Sequence, residues 1–163
     1  MISHLITIQP ITPQDQEWAR MLLTDRWGSV KVVSRGQVHI ANQLPGFVAW
    51  IAEKRTGLIT YRIEESYCEI VTIDSLSPGS GVSTSLIDRV IQEAQSHHCS
   101  RVWLITTNDN LPALRFYQKR GFRLVAVYPN AIADSRKLKP SIPLMGLNGI
   151  PIRDEIELEI QLK

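Results

Sequence analysis

Hydrophobic and polar positions change period several times along the chain, and each change marks an element. Residues Ile6 to Ile11 alternate weakly, like a strand. Thr12, Pro13 and Asp15 then supply a hydroxyl cap, a proline in the first helical position and a carboxylate at the third. A helix is therefore predicted to about Arg26, with Trp18, Leu22 and Leu23 inward and Met21 beside them, ended by Trp27-Gly28. Val30 to Ile40 and Gly46 to Ala52 are β-branched or aromatic runs, broken by Arg35-Gly36 and by the Asn42 to Pro45 loop. The turn-like segments Lys54 to Gly57 and Glu64 to Ser66 separate Gly46 to Ala52, Leu58 to Ile63 and Tyr67 to Leu76, three strands expected to be antiparallel neighbours.

After Leu76 the rhythm becomes helical. Ser77-Pro78-Gly79-Ser80-Gly81 is a small-residue loop, and Val82, Leu86, Ile87, Val90, Ile91 and Ala94 follow at helical intervals. Arg101 to Thr106 predicts a short buried strand, Asn110 to Arg120 a second helix stopped by Gly121, and Phe122 to Tyr128 another strand. A short helix to about Leu138 and a loop punctuated by Pro140, Pro143, Gly146 and Gly149 fill Ala131 to Ile150. Ile156, Leu158, Ile160 and Leu162 alternate strictly with Glu155, Glu157, Glu159 and Gln161, the pattern of a strand with one wet face that could also pair across a two-fold axis in a homodimer. The element order is α/β.

Composition narrows the class. With 163 residues, 44% hydrophobic, the chain suits one domain spanning 1–163. Its longest apolar runs fall far short of the roughly 18 to 20 residues of a membrane span, and no signal-like segment opens it, so the cytoplasm is expected. Cys68 and Cys99 lack CxxC spacing, which supports neither a disulfide framework nor a zinc site; both are expected as buried free thiols. A net charge of +2 does not by itself make a nucleic-acid binder, although Arg101 to Pro140 carries eight basic residues against two acidic ones. Without a nucleic-acid motif beside it, that stretch reads as a helix surface or an anion site.

Two motifs carry chemistry. Gly79 and Gly81 lie between a strand and a helix, where backbone N–H groups can approach phosphates, although glycine also serves such turns for conformation alone. No Gly-Lys-Ser/Thr follows, and position 84 is Thr, so neither a P-loop nor GxGxxG is present. The second motif is Asn110-Leu-Pro-Ala113-Leu-Arg-Phe-Tyr117-Gln-Lys-Arg-Gly121-Phe122. Its pattern, Asn-x-x-Ala-x-x-x-Tyr-x-x-x-Gly-Phe, about thirty residues after a strand, glycine loop and helix start, resembles the GNAT superfamily of acetyl-CoA-dependent N-acyltransferases. The resemblance covers most of the chain. The family's pyrophosphate loop, Arg/Gln-x-x-Gly-x-Gly/Ala, falls on Pro78 to Ser83: Gly81 matches, Pro78 and Ser83 depart, and Ser80 stands where relatives often carry Arg or Lys.

The resemblance implies a mixed sheet of six to seven strands flanked by helices, splayed between the fourth and fifth main strands, Tyr67 to Leu76 and Arg101 to Thr106. Acetyl-CoA would lie in that splay as co-substrate, with no metal. Backbone near Ile73 and Ser75 would pair with the pantetheine arm, and Gly79, Ser80, Gly81, Val82 and Ser83 would hold the pyrophosphate. Asn110 would bond the arm, Ala113 and Phe116 would line the same helix face, and Tyr117 would face the sulfur. Asn110 is equally a good helix cap, and Tyr117 could simply pack helix on sheet.

The implied activity is transfer of acetyl to a primary amine by direct attack in a ternary complex. Such an amine, with a pKa of about 10.4, is neutral in fewer than roughly one molecule in a thousand at pH 7, so base catalysis dominates. Glu69 is the first candidate base, sharing strand parity with Tyr67 and Ile73, although an exposed carboxylate paired with Arg62 would look the same. Asp74 and Glu155 are alternatives, as is a desolvated amine pocket. His97 and His98 close a helix away from the cofactor, and His39 lies in a strand without a visible partner, so all three are set aside. Trp27 to Pro45 and Arg136 to Asp154 would face the acceptor, with Lys137 and Lys139 able to attract an acidic group and Asp154 and Glu155 a cationic one. The competing function is an acyl-CoA-binding sensor or interaction module without turnover.

Overall fold

The computed structural model describes residues 5–163. In chain order the elements are β1 (Ile6–Pro10), α1 (Gln16–Trp27), β2 (Lys31–Ser34), β3 (Gln37–Ile40), β4 (Gly46–Ile51), β5 (Lys54–Glu64), β6 (Tyr67–Ser75), α2 (Val82–Ser96), β7 (Arg101–Thr107), α3 (Leu111–Lys119), β8 (Arg123–Tyr128), α4 (Ala131–Leu138) and β9 (Glu155–Gln161). Seven strands form a mixed sheet in the order β1-β4-β5-β6-β7-β9-β8, and β2 and β3 form a separate hairpin. Only β6 and β7 pair in parallel among the described residues, joined through α2. The α/β expectation and the antiparallel run β4-β5-β6 hold.

Local chemistry fixes the boundaries. Before α1, Thr12 donates from its backbone N–H (2.8 Å) and Oγ1 (3.0 Å) to Asp15 Oδ2, satisfying helix-start groups, while Gly28 at φ +81° ends the helix. Inward from α1 come Ala19, Leu22 and Leu23, whereas Met21 is exposed. The predicted turn at Lys54 to Gly57 is strand instead. The reversal takes only Ala52 and Glu53, both left-handed (φ 49° and 65°), a two-residue turn whose twist lets Lys54 pair at once with Ile51. Arg35 and Gly36, also left-handed, turn the β2–β3 hairpin in the same way.

The two sheet faces bury different things. Under α2 and α3, Val82, Leu86, Val90 and Phe122 meet Phe47, Ile59, Val102, Leu104 and Leu158, together with the free thiols Cys68 and Cys99. Burial, with Cys99 nearby, pushes the Cys68 thiol up to about 12. Under α1, Leu22 and Leu23 meet Val48, Leu58 and Val71, and Val32 of the hairpin joins them. The expected wet face of β9 is not wet: Glu155 is 2% exposed and Glu157 7%. Arg35 and Arg101 neutralise these carboxylates, which makes their burial tolerable. Nor can β9 pair across a two-fold axis, because β7 and β8 occupy both its edges; the open edges belong to β1 and β8.

Candidate active site

β6 and β7 pair from Tyr67–Arg101 to Ile70–Leu104 and then stop, although the strands run on to Ser75 and Thr107. The cause lies on the other edge of β6. Thr72 pairs with Thr60 and Ile70 with Tyr61, so Val71 is an extra residue, a β-bulge that bends and twists its strand. Thr60 Oγ1 and Thr72 Oγ1, 2.6 Å apart, share a buried hydrogen bond beside it. A cavity of about 150 Å³ lies at the unpaired ends, lined among others by Trp27, Val71, Ile73, Thr106, Asn110, Ala113 and Tyr117.

A larger concavity of about 550 Å³ brings together Ser75, Gly79, Gly81, Val82, Ser83 and Phe116. Gly81, at φ +88°, sits at the N-cap of α2 with no side-chain cap, so the helix opens on bare N–H groups. Space beside Gly79 is open within 4 Å of where a Cβ would stand. Ser80 does not line this concavity; its hydroxyl donates to the Ser77 carbonyl. Arg120 does line it. Its Nε donates to Thr84 Oγ1 (2.7 Å), its Nη1 to the Phe116 carbonyl (3.0 Å), and its guanidinium lies 3.4 Å from the centre of the Phe116 ring. Sequence reasoning counted Arg120 only as part of a basic stretch; its signal was its position just after the tyrosine helix, one turn beyond Phe116.

Asn110 is the N-cap of α3, its Oδ1 accepting from the Ala113 N–H at 3.3 Å. One helical turn further on, Tyr117 is wedged edge-on between Phe116 and Phe122, with ring centres at 5.3 and 5.6 Å. Burial, with the charge of Asp74 adding, raises its phenol well above the ordinary value.

Glu69 stands on the opposite face. The bulge breaks the expected parity: Tyr67 and Glu69 precede Val71 and face the hairpin side, whereas Ile73 packs with the α2 cluster. Glu69 consequently does not line the cavity that holds Tyr117; it belongs to a pocket of about 210 Å³ with Arg62, Glu64, Tyr67, Arg101 and Trp103. Nor is it an exposed carboxylate. It is 2% exposed, with His39 Nε2 at 3.6 Å and Arg62 Nε at 3.7 Å from Oε1. Burial pushes its carboxyl up to about 7, Glu155 adding and Arg62 opposing. His39, discounted for want of a partner, thus has one.

The other candidates are engaged elsewhere. Glu155 accepts from the Arg35 N–H (3.2 Å) and Nη1 (2.8 Å), and Arg35 lies 3.4 Å over the Tyr128 ring. Asp74 accepts from Trp27 Nε1 at 2.9 Å, and Asp154 from the Asn130 N–H at 2.8 Å. Lys139 is buried and donates to the Trp27 carbonyl at 2.6 Å, tying α4 to the end of α1; Lys137 pairs with Asp134 on the surface. His97 closes α2 on the surface, as expected, its Nδ1 2.9 Å from the Glu93 carbonyl.

The profile of the Acetyltransferase (GNAT) family matches residues 12–122, and the chain belongs to that family. It is 42% identical over 147 residues to the uncharacterized protein YdhI of Bacillus subtilis (strain 168), covering 87% of this chain and 92% of that protein. Among solved structures it is similar to an IAA acetyltransferase from Bacillus cereus ATCC 14579 (TM-score 0.74, 23% identity, 97% and 100% of the two chains). It is also similar to a GNAT family acetyltransferase from Elizabethkingia anophelis with acetyl-CoA bound (TM-score 0.70, 22% identity, 96% and 98%). Among the described residues no helix is long and apolar enough to cross a membrane.

Proposed function

We propose that this protein is an N-acetyltransferase of the cytoplasm, acting as one domain, that moves acetyl from acetyl-CoA to a primary amine by direct attack in a ternary complex. The observation that carries the reading is the early end of β6–β7 pairing, with Tyr117 beside the gap and the glycine loop beyond it. The residues suit acetyl-CoA. An unpaired β6 edge at Ile73 and Ser75 offers main-chain partners to the pantetheine arm, and the opening N–H groups of α2 with Gly79, Gly81, Val82 and Ser83 suit a pyrophosphate. Ala113, Phe116 and Asn110 flank the arm. Arg120 supplies the cation that Ser80 does not.

Removing a proton from the acceptor ammonium at pH 7 requires about 4 to 5 kcal/mol, the largest single demand on the site. Glu69, buried and titrating at about 7, is suited to receive it. Its nitrogen freed, the amine attacks the thioester carbonyl, the C–S bond breaks as the amide forms, and the second nitrogen proton passes to the departing sulfur. Tyr117 meets the departing sulfur. Because its phenol is a weaker acid than usual, it stabilises thiolate by a hydrogen bond rather than by early proton transfer. The test is calorimetry with acetyl-CoA together with release of CoA thiol over a panel of primary amines. Binding with thiol release supports the reading; binding without release from any amine assigns a sensor instead, and absence of binding removes the cofactor.

A further inference from the structure

The hairpin β2–β3 carries two polar side chains onto Glu69 of the main sheet: Ser34 from β2 and His39 from β3, both 8% exposed. The imidazole Nε2 and the Arg62 Nε approach the same carboxylate oxygen, at 3.6 and 3.7 Å. Ser34 Oγ, His39 Nε2, Arg62 Nε and both Glu69 oxygens are buried without a hydrogen-bond partner. Buried polar atoms normally make well-formed hydrogen bonds, so five that converge with only these long approaches between them mark a centre whose groups are free to re-pair.

We propose that His39 is the positioning residue of Glu69 and the onward carrier of its proton. The inference rests on the reading of Glu69 as base. The acceptor ammonium gives a proton to Glu69, leaving a neutral amine and a carboxylic acid. The acid passes that proton to His39 Nε2 and is a carboxylate again, and the imidazolium releases its Nδ1 proton to water, to be reset by tautomer exchange. Net, one proton leaves for each amide and each CoA thiol formed. The groups around the pair are Arg62 and Glu64 from β5 and Ser34 from β2, with Glu155 of β9 acting on Glu69. Burial, with Arg62 adding and Glu64 opposing, holds the imidazole below its ordinary value, so it is neutral at pH 7 with a lone pair to offer.

The test compares His39→Gln, His39→Asn and Glu69→Gln in the full chain, using thiol release against pH. Loss of the relay lowers kcat by about 10- to 100-fold while acetyl-CoA binding is kept. The acid limb of kcat/KM steepens from slope one to slope two in the unaltered protein and stays at slope one in the His39 variants. In a further variant, His39→Ala, added imidazole raises the rate. Full activity and an unchanged acid limb in both His39 variants would overturn the relay. Should these variants fold poorly, nitrogen NMR of His39 in the unaltered protein and in Glu69→Gln decides: the His39 titration shifts when the carboxylate is removed, and an unshifted one counts against the proposal. Glu69→Gln inactive with His39→Gln active removes the relay alone, whereas Glu69→Gln active removes the base and with it the relay.

Discussion

The same strands show hydrocarbon to one side and charge to the other. Toward α2 and α3, β6, β7 and β9 present Cys68, Ile70, Val102, Leu104 and Leu158, a dry wall that ends at the buried Tyr117. Toward the hairpin they present Glu69, Trp103, Glu155, Glu157 and Glu159, threaded with Arg35, Arg62 and Arg101; one nitrogen of Arg101 serves both Glu157 (2.9 Å) and Glu159 (2.8 Å). Burying carboxylates is expensive even when they are paired, so hydrophobic residues there would give a more stable protein. Charge kept at that expense lies on the face that carries Glu69, the base of the proposed reaction. Under the proposed function the difference becomes a division of labour: the helical face takes the thioester, the hairpin face the amine.

Five experiments break or sharpen that division. Glu69→Gln strikes the amine side alone: turnover falls by about 10²- to 10⁴-fold, and calorimetry finds acetyl-CoA affinity unchanged. A loss of affinity instead would show that the faces are not separate. Tyr117→Phe, on the thioester side, lowers turnover by about 10- to 1000-fold in the same thiol assay, again with binding kept. Arg120→Ala weakens acetyl-CoA binding by about 10- to 100-fold, the worth of a charge-assisted bond, and leaves saturated turnover unchanged. Gly81→Ala adds a Cβ that meets Ile6 only at 3.8 Å, so its cost to folding is the left-handed conformation. Urea unfolding should show a loss of about 1 to 2 kcal/mol.

The smallest effect is in pH. Glu69 titrates at about 7 in the folded chain against 4.5 unfolded, so between those values the native state holds a proton that the unfolded chain has released. Raising pH through this window therefore lowers stability, and the loss is complete above about 7. Melting temperatures of the protein and of Glu69→Gln should diverge across the window, the variant being the flatter. Parallel curves would mean that Glu69 is solvated.

The helical side was legible from sequence because it is built from neighbours in the chain. Residues 75–83 and 110–121 each carry their own loop chemistry, cap and period, and Asn110, Ala113 and Tyr117 fall one helical turn apart. The hairpin side was not. Ser34, Arg35, His39, Arg62, Glu69 and Glu155 come from five strands and a turn, and no local period says that a hairpin will lie across β9. Alternating glutamates therefore read as a solvent face, and His39 as solitary. Lys139 looked like a mobile cation because nothing near it in sequence announces the Trp27 carbonyl 112 residues earlier. Strand parity failed for a different reason: a bulge is invisible to a rule that counts by twos. Residues 1–4, which bore only on the expectation that no signal-like segment opens the chain, lie outside the described residues.

That supernumerary valine makes length itself a constraint on the sixth strand. Deleting Val71 would restore an uninterrupted ladder with the fifth strand, every remaining residue keeping its partner and its face, and would take away the bend at which the sixth strand parts from the seventh. No substitution elsewhere puts that bend back. The stretch can drift in composition far more readily than it can gain or lose a residue.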